Sequence, residues 1–354
     1  MSTTVQRHSK PCRALAAAAV LLAAGAGALP AQAASANGTD AAELSCELET
    51  LPIPDGLLFT FTTGMSDDGS VIAYRAYPLD FGFERYTMLY SGGKVTEVPI
   101  PGEDQALNDV NSGGEAAAST WLGDGSVPYA WRGGKAAELP NTGGGEANGI
   151  NEHGDIVGQS GSQPVLWPAG SEEAVELELP EKAVWGTATD IGDDGTIVGY
   201  FSIENGDFKP YAWNSDGTGS ELPWPEGVEP GTAHSYVSDL NGQWASGYLD
   251  TPEHPGAGIR WNLAEGTAEV LEIEGPAAVA ADGTAAGSLF PDAAVQTREG
   301  VVALPGVSDP ADNYFGDQAD SISSDGSIVA GSVYVGEDAT GMHTLNAVRW
   351  TCEP

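Results

Sequence analysis

The side chains in this sequence that could carry acid–base, nucleophilic or metal chemistry are 51 Asp and Glu, five His and three Cys. Glycoside hydrolysis needs two carboxyl groups flanking a scissile bond. A chain this rich in acids supplies such a pair from any two loops, so the carboxylates by themselves single out no site. Beyond the first 33 residues the histidines are His153, His234, His254 and His343, which lie in separate segments without metal-ligand spacing. His153 holds a turn position that other parts of the chain fill with Asp. The Asp-Asp-Gly turns lack the alternating oxygen ligands of a calcium loop and read as tight turns. No catalytic residue, metal site or cofactor follows from these patterns.

Aromatic side chains offer the better binding groups. Tyr77, Phe81, Phe83, Trp185, Trp224, Tyr236, Tyr314 and Phe315 fall in or beside long connections. There they could stack on sugar rings or on a partner's apolar patch. The alternative role for each is to cover the end of an element.

A repeat positions them. A turn with a conserved-looking glycine recurs at Gly69, Gly114, Gly154, Gly195, Gly242, Gly283 and Gly326, at intervals of 40 to 47 residues. An aromatic-ended stretch follows each turn, ending at Tyr90, Trp131, Trp167, Trp213, Trp261 and Trp350, with a degenerate copy at Ala294-Val295-Gln296. A third stretch closes the unit at Val98-Pro99, Leu139-Pro140, Leu179-Pro180, Leu222-Pro223, Leu271 and Leu304-Pro305. Its seventh copy, Leu51-Pro52, stands before the first turn. Four short strands per unit and a period in the low forties predict an all-β, seven-bladed β-propeller over residues 46–354, its N-terminal strand completing the last blade. Asp-Gly and Gly-Gly suit tight hairpins, and proline after the fourth strand ends the ladder. Large aromatics at one register position predict packing between blades. The long connections, 76–85, 223–236, 249–257, 305–317 and 333–343, all fall at one end, where binding and the channel mouth are expected.

Cys352 lies two residues after Trp350, as Gly133 lies two after Trp131, and Cys46 lies five before Leu51, as Gly134 lies five before Leu139. The two cysteines thus occupy the place of a Gly-Gly turn, and a Cys46–Cys352 disulfide is expected to replace the missing hairpin.

Gly149-Ile150-Asn151-Glu152-His153-Gly154-Asp155-Ile156-Val157-Gly158 followed by Val165-Leu166-Trp167 resembles the repeat unit of the secreted bacterial HAF-repeat proteins. This chain departs from that unit in lacking the His-Ala-Phe triplet before the Trp and in its degenerate sixth copy. The resemblance implies an exported, propeller-like protein and assigns no catalytic residue.

Residues 1–33 read as an export signal: Arg7, Lys10 and Arg13, an apolar run from Ala14 to Leu29, and Ala31-Gln32-Ala33 as the cleavage site. Residues 34–45 read as a flexible leader, which holds the sequon Asn37-Gly38-Thr39. Export makes the disulfide permissible and leaves Cys12 behind. Ten basic and 51 acidic residues then remain, a balance of 10 − 51 = −41. So little basic surface argues against nucleic acid and anionic membranes as partners. Mutual repulsion favours a soluble monomer, and no later run is long and apolar enough to span a bilayer. The expected role is an extracellular binding or adhesion module for polysaccharide or protein. A structural envelope protein and a polysaccharide hydrolase or lyase are the alternatives.

Overall fold

The computed structural model describes residues 44–78, 84–123, 125–204, 206–309, 312–337 and 341–353. The export signal, the sequon, Phe81 and Phe83 lie outside the described residues. Of the leader, Leu44 packs beside buried Val295 and Cys352, and Ser45 opens a strand. Apart from one 3₁₀ turn at Pro230–Thr232, the described elements are strands.

After β1 (Ser45–Thr50) come four sheets, each of four antiparallel strands hydrogen-bonded in chain order. The first holds β2 (Leu57–Met65), β3 (Val71–Pro78), β4 (Tyr86–Ser91) and β5 (Lys94–Glu97). The second holds β6 (Glu103–Val110), β7 (Ala116–Leu122), β8 (Gly125–Arg132) and β9 (Lys135–Glu138). The third holds β10 (Gly145–Ile150), β11 (Ile156–Ser160), β12 (Gln163–Trp167) and β13 (Val175–Glu176), and the fourth β14 (Ala183–Ile191), β15 (Ile197–Ile203), β16 (Phe208–Trp213) and β17 (Gly219–Glu221).

A seven-stranded sheet follows: β18 (His234–Asn241), β19 (Trp244–Asp250), β20 (Ala257–Asn262), β21 (Thr267–Val279), β22 (Ala285–Leu289), β23 (Asp292–Gln296) and β24 (Val301–Ala303). The terminal sheet takes β25 (Gln318–Ile322), β26 (Ile328–Glu337) and β27 (His343–Glu353), with β1 as its fourth strand in the order β1-β27-β26-β25.

The repeat explains these elements. All seven turn glycines have positive φ, from +58° at Gly242 to +89° at Gly283, a region that disfavours side chains with a Cβ. Indole N–H groups of Trp167, Trp261 and Trp350 donate to the carbonyls of Pro140, Pro223 and Pro305, each from the preceding unit's closing Leu-Pro. Trp213 donates to Glu178 at the equivalent seam. These four indoles are at most 3% exposed, so the aromatic set packs between sheets as its spacing predicts.

Two positions differ from the sequence reading. In the third unit the buried closing residue is Leu177, whose amide bonds the Pro164 carbonyl, and Leu179 sits two residues beyond it. In the fifth unit Leu271 has no proline after it. Nothing ends the ladder there, so β21 runs on for 13 residues and fuses two expected four-stranded units into the seven-stranded sheet.

Apolar clusters join each sheet to its neighbour in sequence. A further cluster unites the terminal sheet with the first through Leu51, Ala330 and Ala347 against Ile72, Tyr74 and Tyr90. Leu51 donates its amide to Ala347 as Leu139 does to Pro128 and Leu304 to Ala293. Thus β1 does for the terminal sheet what a fourth strand does elsewhere. Trp350 pairs with Leu48 as Trp131 pairs with Ala136, and Thr351 with Glu47 as Arg132 with Lys135. The next pair is Cys46 and Cys352, bonded with an S–S distance of 2.06 Å, where Gly133-Gly134 turns in the second sheet.

Candidate functional site

The first strands β2, β6, β10, β14, β18 and β25 line one cavity of about 310 Å³. Each bulges at one extra residue: Thr63, Asn108, Asn148, Thr189, Ser238 and Asp320. All six are polar and all six face the cavity. A bulge turns a side chain out of the ladder, and here it is used to reach the next sheet or, from Ser238, the later strand β21 of the same sheet. Asn108 donates to the Ala147 carbonyl (2.7 Å), Asn148 to Ala188 (2.8 Å), Thr189 to Val237 (2.9 Å) and Ser238 to Ala277 (2.7 Å). Asp320 accepts from the Thr62 hydroxyl at 2.6 Å. Thr63 stands apart, its buried hydroxyl without a hydrogen-bond partner.

Aspartates add a second set of links. Asp109 accepts from the Ile150 amide (2.9 Å) and Asp190 from Leu240 (2.8 Å), each across a seam, and Asp239 accepts from Val279 (2.6 Å) in β21 of its own sheet. Where the acid is missing the backbones close up instead: a Cβ on Gly64 would stand 2.9 Å from Asp109 Cα, and one on Gly149 2.8 Å from Asp190 Cα.

Burial raises Asp109 and Asp190 well above the usual carboxylate range, against the pull of their amide donors, and neighbouring carboxylates reinforce the rise. Asp239 is pushed up to about 7, by burial first. Asp320, deep in the molecule but facing the open cavity, rises to about 6 for the same reason. A carboxyl whose folded pKa exceeds its unfolded one holds its proton better when folded, so stability falls as pH rises between the two values. The thermal midpoint is therefore expected to be higher at pH 5 than at pH 8. Asp239→Asn, which resembles the protonated acid, should shrink that difference. A midpoint that rises across this interval, or a variant with the wild-type slope, would contradict the assignment.

Towards the end remote from the turn glycines, the cavity-facing strand positions change character. Alternation of exposure places Phe59 and Phe61 on the same side of β2 as Thr63, Glu146 with Asn148, and His234 and Tyr236 with Ser238. A continuous aromatic row results. Tyr248 stacks on Tyr236 (5.1 Å, 17°), Tyr236 meets Tyr200 (5.4 Å), and Tyr200 meets Trp185 (5.5 Å) and Phe208 (5.2 Å). His234 lies edge-on to Phe208 at 6.2 Å. These rings are half-buried. Among the described residues the hydroxyls of Tyr200, Tyr236 and Tyr248 have no hydrogen-bond partner in the protein. Burial, with Tyr236 and Glu146 nearby, pushes Tyr200 up to about 12, so it stays a neutral donor.

The sequence-predicted aromatics divide among four places. Trp185 and Tyr236 join the row. Tyr77 packs with Phe59 (5.5 Å) and Phe61 (5.9 Å) under the Arg85 guanidinium, 4.0 Å from its ring centre. Tyr314 and Phe315 form an exposed pair 5.1 Å apart. Trp224 is separate: it lies beneath Lys209 and donates its indole N–H to Glu221, so it covers a sheet edge. Tyr200, Phe208 and Tyr248 escaped the sequence reading because they lie in strands outside the long connections, and His234, inside the 223–236 connection, is weighed there only as a metal ligand. Their signal was an aromatic near a strand end, in register with Trp185 or Tyr236.

No family model matches the chain, and no curated protein sequence matches it. Solved structures do. The β-propeller domain of the Trilobed protease from Pyrococcus furiosus is similar with a TM-score of 0.53 and 15% identity, covering 81% of this chain and 94% of that one. Oligogalacturonate lyase from Vibrio parahaemolyticus gives a TM-score of 0.50 and 12% identity, over 87% of this chain and 96% of that one. Acylaminoacyl peptidase from Pyrococcus horikoshii gives 0.52 and 12%, over 82% of this chain and 51% of that one. At such identities the likeness is one of fold: a propeller-like, β-rich architecture. It does not extend to membership of the HAF-repeat group. Among the described residues no helix is long and apolar enough to cross a membrane.

Proposed function

We propose that the sheets form a seven-bladed β-propeller closed by β1 and the disulfide, with the seven-stranded sheet counting as two blades. We propose further that the protein is exported and binds an extracellular glycan at the aromatic mouth of the central channel. The row from Trp185 through Tyr200 and Tyr236 to Tyr248 carries this reading. It presents flat rings with unpaired hydroxyls beside a polar cavity, a combination suited to the apolar faces and hydroxyls of sugar rings. The surplus of acids disfavours an acidic polymer, so neutral polysaccharides are the expected class.

Retention on a panel of insoluble neutral glycans and cell-wall fractions tests the reading. Trp185→Ala and Tyr236→Ala are each expected to weaken binding roughly 10-fold, the order of one well-placed aromatic contact. Retention unaffected by both changes would move the site elsewhere, and no retention by the wild type would leave a structural envelope role.

A second reading is polysaccharide hydrolysis or elimination by loop carboxylates. Its support is the near whole-length fold likeness to the lyase. Released reducing ends from the same panel, or unsaturated sugar from a uronic-acid polymer added to it, would establish it.

A further inference from the structure

The connection from β24 to β25 presents two aromatics on a tightly fixed turn. Asn313 and Asp317 are 8% and 3% exposed and are bonded to each other at 2.8 Å. Asn313 also donates to the Pro291 carbonyl and accepts from the Gly316 amide. Asp317 accepts from the Tyr334 amide at 2.9 Å and donates its own amide to Pro291. Between these anchors Tyr314 is 65% exposed and Phe315 44%, and Phe290, 61% exposed, abuts Gly316. A turn that buries its polar ends and displays its aromatic middle inverts the usual economy of burial.

The second face of the arrangement is equally fixed. His343 stacks on Tyr314 at 4.3 Å and 10°, and its Nδ1 is 2.7 Å from the Tyr334 hydroxyl. Phe315 stands at 81° to Tyr314. Tyr314, His343 and Phe290 border an open recess of about 810 Å³ whose lining also includes Asp309, Asp312 and Glu337. Glu337 lies 3.7 Å from His343 Nε2. Among the described lining residues there is no Lys or Arg.

We propose that this recess is a separate binding site for an amino sugar, stacked on the Tyr314 face turned away from His343, with its ammonium group toward Asp312. Aromatic faces and carboxylates both attract an ammonium group, and the same carboxylates repel acidic sugars. A methylated or quaternary ammonium calls for an enclosing aromatic cage, and this recess is open.

Titration calorimetry of the full chain near neutral pH, with a glucosamine trisaccharide, its N-acetylated form and a lysine tripeptide, tests the proposal. The amino form is expected to bind best and to weaken with added salt. Tyr314→Ala should reduce its affinity about 10-fold and Asp312→Asn about 3-fold, both with unchanged thermal midpoints. Trp185→Ala should leave it unaffected, which separates this site from the channel mouth. Equal binding of the N-acetylated form, tighter binding of the peptide, no binding at all, or indifference to Asp312→Asn would overturn it.

Discussion

Exchange of Cys46→Ser together with Cys352→Ser is expected to lower the stability of the protein by about 5 kcal/mol, the chain-entropy value for so long a loop. The bond spans 306 residues, and the cost grows with the logarithm of that length, so few single cross-links in a domain could matter more. The consequence should be localised as well as large. Without the bond, β1 remains attached to β27 by six register pairs, by the Glu49–Arg349 ion pair and by Leu51, which is 1% exposed between the terminal and first sheets. Losing that strand uncovers the apolar seam formed by Ile72, Tyr74 and Tyr90. A chain of this size should show a fall in thermal midpoint of roughly 10 °C or more. Calorimetry with and without reductant measures it, and a midpoint indifferent to both reduction and exchange would refute the view that this bond secures the terminal sheet.

Trp261→Ala is expected to cost about 3–5 kcal/mol, the usual range for removing a large aromatic from a close-packed core. The indole is 0% exposed, packs in the seam between the fourth and the seven-stranded sheets, and donates to the Pro223 carbonyl at 2.8 Å. Truncation opens a cavity and orphans that carbonyl at once. Trp121, 48% exposed, provides the control: Trp121→Ala should stay within about 0.5 kcal/mol of wild type. Denaturant titration distinguishes them through the midpoint concentration, and similar costs for the two would show that the strand-end tryptophans are not the packing anchors.

Most of the scaffold was legible in the residues because its devices are local. A turn glycine, a half-buried Thr-Ile-Val strand and a Trp two residues before Gly-Gly each have one economical conformation, and the repeat copies it. Legibility failed where the copy eroded: the missing proline after Leu271 let two units fuse, and Leu-Glu-Leu-Pro in the third unit offered two candidate closing leucines. The channel was harder to foresee. Asn108-Asp109, Thr189-Asp190 and Ser238-Asp239 look like ordinary polar pairs before a turn, and their partners Ile150, Leu240 and Val279 are 40 to 50 residues away. Only the stacking of one sheet on the next shows that the acids are buried links. For the proposed binding surfaces, the long connections pointed to Trp185, Tyr236, Tyr314 and Phe315. They did not point to Tyr200 and Tyr248, which sit inside predicted strands, where an aromatic ordinarily means core.

The pairing of the two cysteines also has a mechanical meaning. Tension applied between the strand that opens at Ser45 and the strand that ends at Glu353 passes through a single S–S bond at their junction. The intervening sheets carry none of that load, and their hydrogen bonds are not peeled one after another. Under such a pull the junction of β1 and β27 becomes the least extensible element of the fold.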